Sequence, residues 1–267
     1  MPRITVRGVE LHYKEHGSGR PVVFLHGVWM SGRFFQRQLG PIGEQHRAIA
    51  LDFRGHGLSE KTEQGHTVPE YAADVRAFLE ALDLRDVVLV GWSMGAFVLW
   101  DYVEQFGTDR LAGTVIVHES ASDYPWEGWE HALIPPDLLR DLNAGVQTDR
   151  AGTIQHFIPL MFKDEPPAED VTWMAEEMAR PPAGAASSIL VDQTLRDYRE
   201  KLGAVSVPSL VVYGGDEKLF KVAAGEFLVE RLPDARLLVL EESCHCPFLE
   251  EPERFNAAVL EFVDSLS

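Results

Sequence analysis

Residues 86–106 read DVVLVGWSMGAFVLWDYVEQF, and this stretch decides the fold. It opens with Asp86 to Val90, an apolar run of strand length. Gly-Trp-Ser-Met-Gly follows at residues 91–95, and Ala96 to Phe106 then carries enough large apolar side chains for a mostly buried helix. A buried strand that passes through a short glycine-flanked turn into a helix is part of a βαβ unit. The stretch therefore predicts an α/β protein.

Further strand-sized apolar runs lie on both sides of this stretch. We predict strands at Ile4 to Arg7, Glu10 to Glu15, Pro21 to Leu25, Arg47 to Asp52, Thr114 to Val117, Ser209 to Tyr213 and Arg236 to Leu240. We predict helices at Val68 to Leu82, Val222 to Arg231 and Glu253 to Ser265. The first two strands form an antiparallel pair joined at Gly8, and the others alternate with helices, which favours a mostly parallel twisted sheet flanked by helices.

The strand pattern disappears from residue 120 to residue 204, where helical periods replace it. Pro-Pro pairs that begin at residues 135, 166 and 181 divide this segment into about four short helices. Strands resume after it. We therefore predict one core domain, formed by residues 1–119 and 205–267, with a helical cap inserted at 120–204.

Composition and charge exclude several classes of protein. Asp and Glu outnumber Lys and Arg by 42 to 24 in 267 residues, and a formal charge of −18 repels nucleic acids and acidic lipids. No apolar run reaches the ~18 residues that a membrane-spanning helix needs, and the N-terminal residues lack a signal-peptide pattern. We expect a cytoplasmic protein that binds neither nucleic acid nor membrane; the sequence does not predict the oligomeric state.

The two cysteines, Cys244 and Cys246, flank His245. One intervening residue makes an intrachain disulfide geometrically awkward. No second pair of ligands with zinc-type spacing occurs elsewhere in the chain. We therefore predict neither a disulfide nor a metal site.

Ser93 is the candidate nucleophile, because G-x-S-x-G between a strand and a helix is the pattern of a nucleophile elbow. The tight turn excludes bulky neighbours and projects the serine oxygen at the N-terminus of the helix, where the helix dipole favours negative charge. A serine hydroxyl needs a base, and in this arrangement the histidine comes last along the chain. Of ten histidines, His245 is the one that follows the last predicted strand.

Two backbone amides are expected to form an oxyanion hole, one directly after the nucleophile and one after an early strand. They belong to Met94 and Val28. Gly27 allows the second loop to approach closely, and we assign His26 a structural role in that loop. The Asp-Phe-Arg-Gly-His-Gly segment at residues 52–57 is interpreted as a structural turn with no chemistry.

These motifs together resemble the α/β-hydrolase-fold serine hydrolases, and more narrowly the esterase and cofactor-free haloperoxidase branch. The resemblance covers nearly the whole chain. It includes the His26-Gly27 loop, the turn at residues 52–59, the elbow at 91–95, Tyr-Gly-Gly-Asp at 213–216 and the tail at 244–252. The helical segment at residues 120–204 is the part of the chain that resembles the family least. The resemblance implies a hydrolase that needs no cofactor.

Three carboxylates are candidates for the acid that orients His245. Most members of this family carry it in the loop that here contains Asp216 and Glu217, whereas some lipases and lactonases carry it after the preceding strand, where Glu119 lies. A charge directly after an apolar strand is costly without a partner, so we favour Glu119 over Asp216, and both over Glu217.

The resulting hypothesis is hydrolysis of a small-to-medium apolar ester or lactone through an acyl-enzyme. Aromatic residues near the elbow, Trp29, Trp92 and Phe97, favour the apolar substrate. Perhydrolysis, in which peroxide replaces water, would use the same residues. A slow small-molecule receptor on the same fold is a third possibility. Epoxide hydrolases and haloalkane dehalogenases are disfavoured, because relatives with those activities carry Asp where this chain has Ser93.

Overall fold

An eight-stranded sheet forms the centre of the computed structural model, which describes residues 2–266. The strands are β1 (Arg3–Val6), β2 (Val9–Gly17), β3 (Pro21–Leu25), β4 (Arg47–Leu51), β5 (Val87–Trp92), β6 (Leu111–Val117), β7 (Ser209–Gly214) and β8 (Ala235–Leu240). Their spatial order is β1-β2-β4-β3-β5-β6-β7-β8, with β2 antiparallel to both neighbours and the remaining pairs parallel. The predicted fold class, a mostly parallel sheet flanked by helices, is confirmed.

Six α-helices accompany the sheet, and four lie in the segment between β6 and β7. The helices that accompany the sheet are α1 (Gln36–Gly43), α2 (Val68–Ala81), α3 (Met94–Phe106), α8 (Val222–Arg231), α9 (Pro247–Glu250) and α10 (Pro252–Ser265). The helices between β6 and β7 are α4 (Pro136–Thr148), α5 (Arg150–Leu160), α6 (Ala168–Ala179) and α7 (Ala183–Thr194). The sequence analysis did not predict α1, because Gly40, Pro41 and Gly43 interrupt its apolar pattern.

Close backbone contact between β3, β5 and α3 fixes the start of α3. A Cβ atom added to Gly95 would overlap the Leu25 carbonyl oxygen on β3, and one added to Gly91 would lie 2.5 Å from the Gly95 carbonyl oxygen. Since these neighbours are backbone atoms, no side-chain rotation can relieve the overlap. Glycine is therefore required on both sides of the turn that carries Ser93.

The four inserted helices are joined to the rest of the protein by hydrogen bonds on the sheet's carboxyl edge. The indole Nε1 of Trp29 donates to the Ala186 carbonyl oxygen of α7 at 3.0 Å. The amide of His245 donates to the carbonyl oxygen of Met161, directly after α5, at 3.0 Å. Both loops of the core that the sequence analysis assigned to the site are thus in contact with the inserted segment. None of the helices in residues 2–266 has both the length and the apolar character needed to cross a bilayer.

Candidate active site

Ser93 occupies a strained backbone conformation at the junction of β5 and α3. Its φ of 53° and ψ of −128° lie where residues with a side chain are rarely found. The conformation is held by a hydrogen bond from the Ser93 amide to the Val117 carbonyl oxygen on β6, at 3.1 Å. The side chain consequently stands at the N-terminus of α3, as a nucleophile elbow requires.

The loop after β3 lies directly against this serine. A Cβ atom on Gly27 would be 3.2 Å from the Ser93 Cβ, so the backbone of this loop passes the serine at contact distance. In residues 2–266, neither the amide of Val28 nor the amide of Met94 donates a hydrogen bond to a protein acceptor. One of these amides thus belongs to the loop that passes the serine, and the other to the residue that follows it.

His26 holds the Val28 loop in place. Its Nδ1 lies 2.8 Å from the Gly27 carbonyl oxygen, and its Nε2 accepts from the Phe53 amide at 3.2 Å. These partners assign the proton to Nδ1. Burial lowers the pKa of His26 to about 4, so the ring is neutral at physiological pH and serves as a brace between two loops.

Asp52 organises the turn after β4. Its carboxylate accepts from the Gly32 amide at 2.7 Å and the Leu58 amide at 2.8 Å, and lies 2.8 Å from His12 Nδ1. Burial opposes ionisation, but the hydrogen bonds from His12 and the two amides hold the pKa of Asp52 below its usual value. These contacts join the turn after β4 to strand β2 and to the residues after β3, in keeping with the structural role expected from the sequence.

His245 is fixed through its backbone from two sides. Its amide donates to the Met161 carbonyl oxygen, and its carbonyl oxygen accepts from the indole Nε1 of Trp92 at 2.8 Å. The ring centroids of Trp92 and His245 are 5.5 Å apart. His245 therefore lies beside the residue that precedes Ser93, and burial lowers its pKa to about 3.

The imidazole of His245 is paired with a second imidazole. Its Nδ1 lies 2.9 Å from Nδ1 of His118, the residue directly after β6. Sequence analysis did not select His118, although the argument that selected Glu119, a polar residue directly after a buried strand, applies equally to it. Trp92 was missed as a support of His245, because a tryptophan between Gly91 and Ser93 carries no sequence signal of that contact.

None of the three candidate acids forms a hydrogen bond with His245 in the described residues. Glu119 accepts from the Ser120 amide at 2.7 Å and lies against the Ser93 hydroxyl and the Asp123 carboxyl group. It therefore lies beside Ser93 rather than on the histidine. Nor does a hydrogen bond join the Ser93 hydroxyl to His245 within residues 2–266.

The two acids of the β7 loop are engaged with their own backbone. Asp216 Oδ1 accepts from the Lys218 amide at 3.0 Å, and Glu217 Oε1 accepts from the Val222 amide at 2.9 Å. These contacts tie down the segment between β7 and α8. The expected contact of Asp216 with His245 is therefore absent from the described residues.

The cysteines on either side of His245 are both buried free thiols. Burial raises the pKa of Cys244 to about 11 and that of Cys246 well above its usual value, so neither is a thiolate at neutral pH. In the part of the chain that the structure describes, no group of three or more His, Cys, Asp or Glu side chains is arranged to hold a metal ion.

This fold and this serine elbow define a class of protein, the α/β hydrolases, and comparison with known proteins agrees. A model of the alpha/beta hydrolase family matches residues 22–258. The chain is 34% identical to the non-heme chloroperoxidase CPO-A1 of Kitasatospora aureofaciens over 99% of this chain and 100% of that protein. It is 30% identical to a non-heme haloperoxidase of Rhodococcus erythropolis over the same shares.

A solved esterase from Exiguobacterium antarcticum has a TM-score of 0.94 with this structure, at 25% identity, covering 98% of this chain and 99% of the esterase. The chain therefore belongs to the alpha/beta hydrolase family, with haloperoxidases and esterases among its relatives.

Proposed function

We propose that this protein is a serine hydrolase that cleaves carboxylic esters or lactones through an acyl-enzyme. One observation carries the proposal: the strained Ser93 stands at the N-terminus of α3 next to Met94 and against the loop of Val28, and the amides of these two residues donate to no protein acceptor in the described residues. Strain of this kind persists where function requires it, and free amides beside a nucleophile suit a developing oxyanion.

In the proposed reaction Ser93 attacks the ester carbonyl carbon while His245 Nε2 accepts the serine proton. The carbonyl oxygen becomes an oxyanion that the two amides stabilise. His245 then protonates the leaving alcohol, and water releases the acyl group by the reverse sequence.

An apolar cavity beside the site supports an apolar substrate. Its volume is about 390 Å³. Its lining is mostly aliphatic and aromatic, with Leu133, Ile134, Leu138, Leu142, Phe157, Leu160 and Leu219.

Two residues of the cavity lining connect it with neighbours of the site. The Phe157 ring centroid is 5.9 Å from that of Trp29, which follows Val28. Leu219 precedes Phe220, whose ring centroid is 6.1 Å from that of His245. We therefore propose that residues 120–204 act as a cap that supplies the pocket for the acyl or alcohol group, over a core formed by residues 1–119 and 205–267.

The test is the intact mass of the protein after treatment with a fluorophosphonate, followed by hydrolysis of p-nitrophenyl esters of graded chain length. We expect one adduct on the wild type and on Ser206→Ala, an exposed serine variant, and none on Ser93→Ala. Absence of an adduct on the wild type would contradict the proposal. An adduct without steady-state turnover of any ester would favour the small-molecule receptor instead.

Perhydrolysis is the second candidate, and the 34% identical chloroperoxidase favours it. Hydrogen peroxide would attack the acyl-enzyme in place of water and release a peracid together with free Ser93. The ratio of peracid to carboxylic acid, measured from one ester at rising peroxide concentration, distinguishes the two. A peracid share that stays at zero excludes this activity.

A further inference from the structure

His118 is held rigidly beside His245. Its backbone adopts a φ of 46°, in the left-handed region, and its amide donates to the Val212 carbonyl oxygen on β7 at 2.8 Å. Its ring is completely buried, with centroids 4.8 Å from Tyr213 and 5.8 Å from Phe220. The strained backbone at this position sends the side chain of residue 118, rather than that of Glu119, toward the histidine.

We propose that His118 is the positioning residue for His245, and that it takes the place of the carboxylate in a Ser-His-acid arrangement. The inference rests on the proposed function, since it assigns a role within that reaction. It stands on the contact of 2.9 Å between the two Nδ1 atoms.

The candidate carboxylates are committed to other partners. Asp216 and Glu217 accept from backbone amides of their own loop, and Glu119 accepts from the Ser120 amide while it contacts Ser93 and Asp123. Burial lowers the pKa of His245, and no carboxylate of residues 2–266 is hydrogen-bonded to its imidazole. In the described residues His118 is thus the one side chain hydrogen-bonded to this imidazole.

The reaction determines which nitrogen carries each proton. Both rings are neutral, because burial lowers both pKa values. His245 can accept the serine proton at Nε2 only when its own proton is on Nδ1, so His118 must accept at Nδ1 and carry its proton on Nε2. This tautomer follows from the chemistry of the proposed reaction.

The arrangement carries a cost that a carboxylate would not have. His118 Nε2 is buried and has no hydrogen-bond partner within residues 2–266, so its proton is unsatisfied. When His245 becomes an imidazolium, its Nδ1–H donates to a neutral nitrogen instead of an anion. The base is therefore oriented without being made more basic, and we expect activity to persist to lower pH than a carboxylate would allow.

The decisive substitutions are His118→Phe and His118→Asp. Phenylalanine keeps the ring volume without an acceptor, and we expect kcat/KM to fall by at least about 100-fold with little change in KM. The Oδ atoms of aspartate are as many bonds from Cα as the Nδ1 of histidine, so His118→Asp restores an acceptor at that place. We expect it to retain wild-type kcat/KM within about tenfold and to move the acid limb of the pH profile to higher pH.

The matched control is His56→Phe, which removes another completely buried imidazole, one that lies in the turn after β4. It reports the effect of losing a buried histidine without losing the contact to His245. Wild-type kcat/KM in a folded His118→Phe protein would overturn the inference. So would equal inactivity of folded His118→Phe and His118→Asp, or an equally large loss in Asp216→Asn or Glu217→Gln.

A measurement on the unsubstituted protein keeps the inference testable if the variants do not fold. In protein labelled with ¹⁵N-histidine, we expect a scalar coupling between the two Nδ1 nuclei across the N–H···N bond, and the Nδ1–H tautomer at His245. Absence of the coupling, or an Nε2–H tautomer at His245, would overturn the inference. Failure of the fluorophosphonate to label Ser93 would instead count against the proposed function alone.

Discussion

The carboxyl groups of Glu119 and Asp123 lie in contact inside the protein, beside Ser93. Both residues are almost fully buried. Asp123 Oδ2 accepts from Gln193 Nε2 at 3.1 Å, whereas Oδ1 has no donor in residues 2–266. Two carboxyl groups in this position share a proton, because two adjacent buried charges would repel each other.

This pair predicts how stability depends on pH. Burial raises the pKa of Asp123 to about 7 from an ordinary value of 3.8. Between those values the unfolded chain has released a proton that the folded protein still binds, so stability falls as pH rises through this window. Burial also raises the pKa of Glu119, so we expect Asp123→Asn to reduce this slope, by a difference on the order of a few kcal/mol, rather than to remove it. Denaturant midpoints of both proteins from pH 4 to pH 8 test this; parallel curves would contradict it.

His26 predicts the opposite slope on the acid side. Its folded-state pKa is about 4 against an ordinary 6.5, so the unfolded chain binds a proton in this window that the folded protein does not, and stability falls with decreasing pH. We expect His26→Gln to lose about 1–3 kcal/mol at pH 7, where its two hydrogen bonds are broken, and to show a shallower acid slope. The control is His16→Gln, which replaces an exposed histidine. An equal loss of stability in this control would contradict the bracing role assigned to His26.

Position 95, a glycine at the start of α3, should not tolerate substitution by alanine. A Cβ at Gly95 would overlap the Leu25 carbonyl oxygen, so Gly95→Ala must separate β3 from α3 and displace Ser93. We expect loss of fluorophosphonate labelling and a marked fall in the melting temperature. Gly184→Ala, in α7 with no atom within 4 Å of the new Cβ, should be neutral or stabilising by up to about 1 kcal/mol. Similar behaviour of the two variants would refute the argument.

The hydrogen bond from Trp92 to the His245 carbonyl oxygen should matter for turnover. Trp92→Phe keeps an aromatic ring but leaves a buried acceptor unpaired, and we expect about a tenfold loss in kcat and a loss of about 1–3 kcal/mol in stability. The matched variant is Trp100→Phe, since Trp100 Nε1 is buried without a partner among the described residues. The kcat of Trp100→Phe should change little. The test is to measure the stability and the kcat of both variants.

The apolar cavity should set the length of chain that the enzyme accepts. Phe157→Trp narrows it, so we expect kcat/KM for long-chain p-nitrophenyl esters to fall about tenfold or more while that for acetate is retained. Phe106→Trp, at the far end of α3, is the control. A uniform loss over all chain lengths would show that the cavity does not receive the substrate.

The fold could be predicted from periodicity because parallel strands are buried on both faces and are almost wholly apolar. The elbow could be predicted because its glycines are required by close backbone contact, which leaves a local mark in the sequence. The partner of His245 could not be predicted in the same way. His118 and Glu119 are adjacent after β6, and the φ of 46° at His118 decides which of them faces His245.

The sequence by itself therefore determined the α/β architecture, the inserted helices, and the candidacy of Ser93, His245, Val28 and Met94, because each depends on local pattern or on position after a strand. Only the tertiary structure decided what His245 contacts. It placed His118 in contact with the His245 imidazole and Glu119 with Asp123 beside Ser93. It placed the Asp216 carboxylate against a backbone amide of its own loop. The physical reason is that hydrogen bonds between residues more than 100 positions apart depend on backbone angles and strand ends to within a few tenths of an ångström, which neither composition nor spacing records.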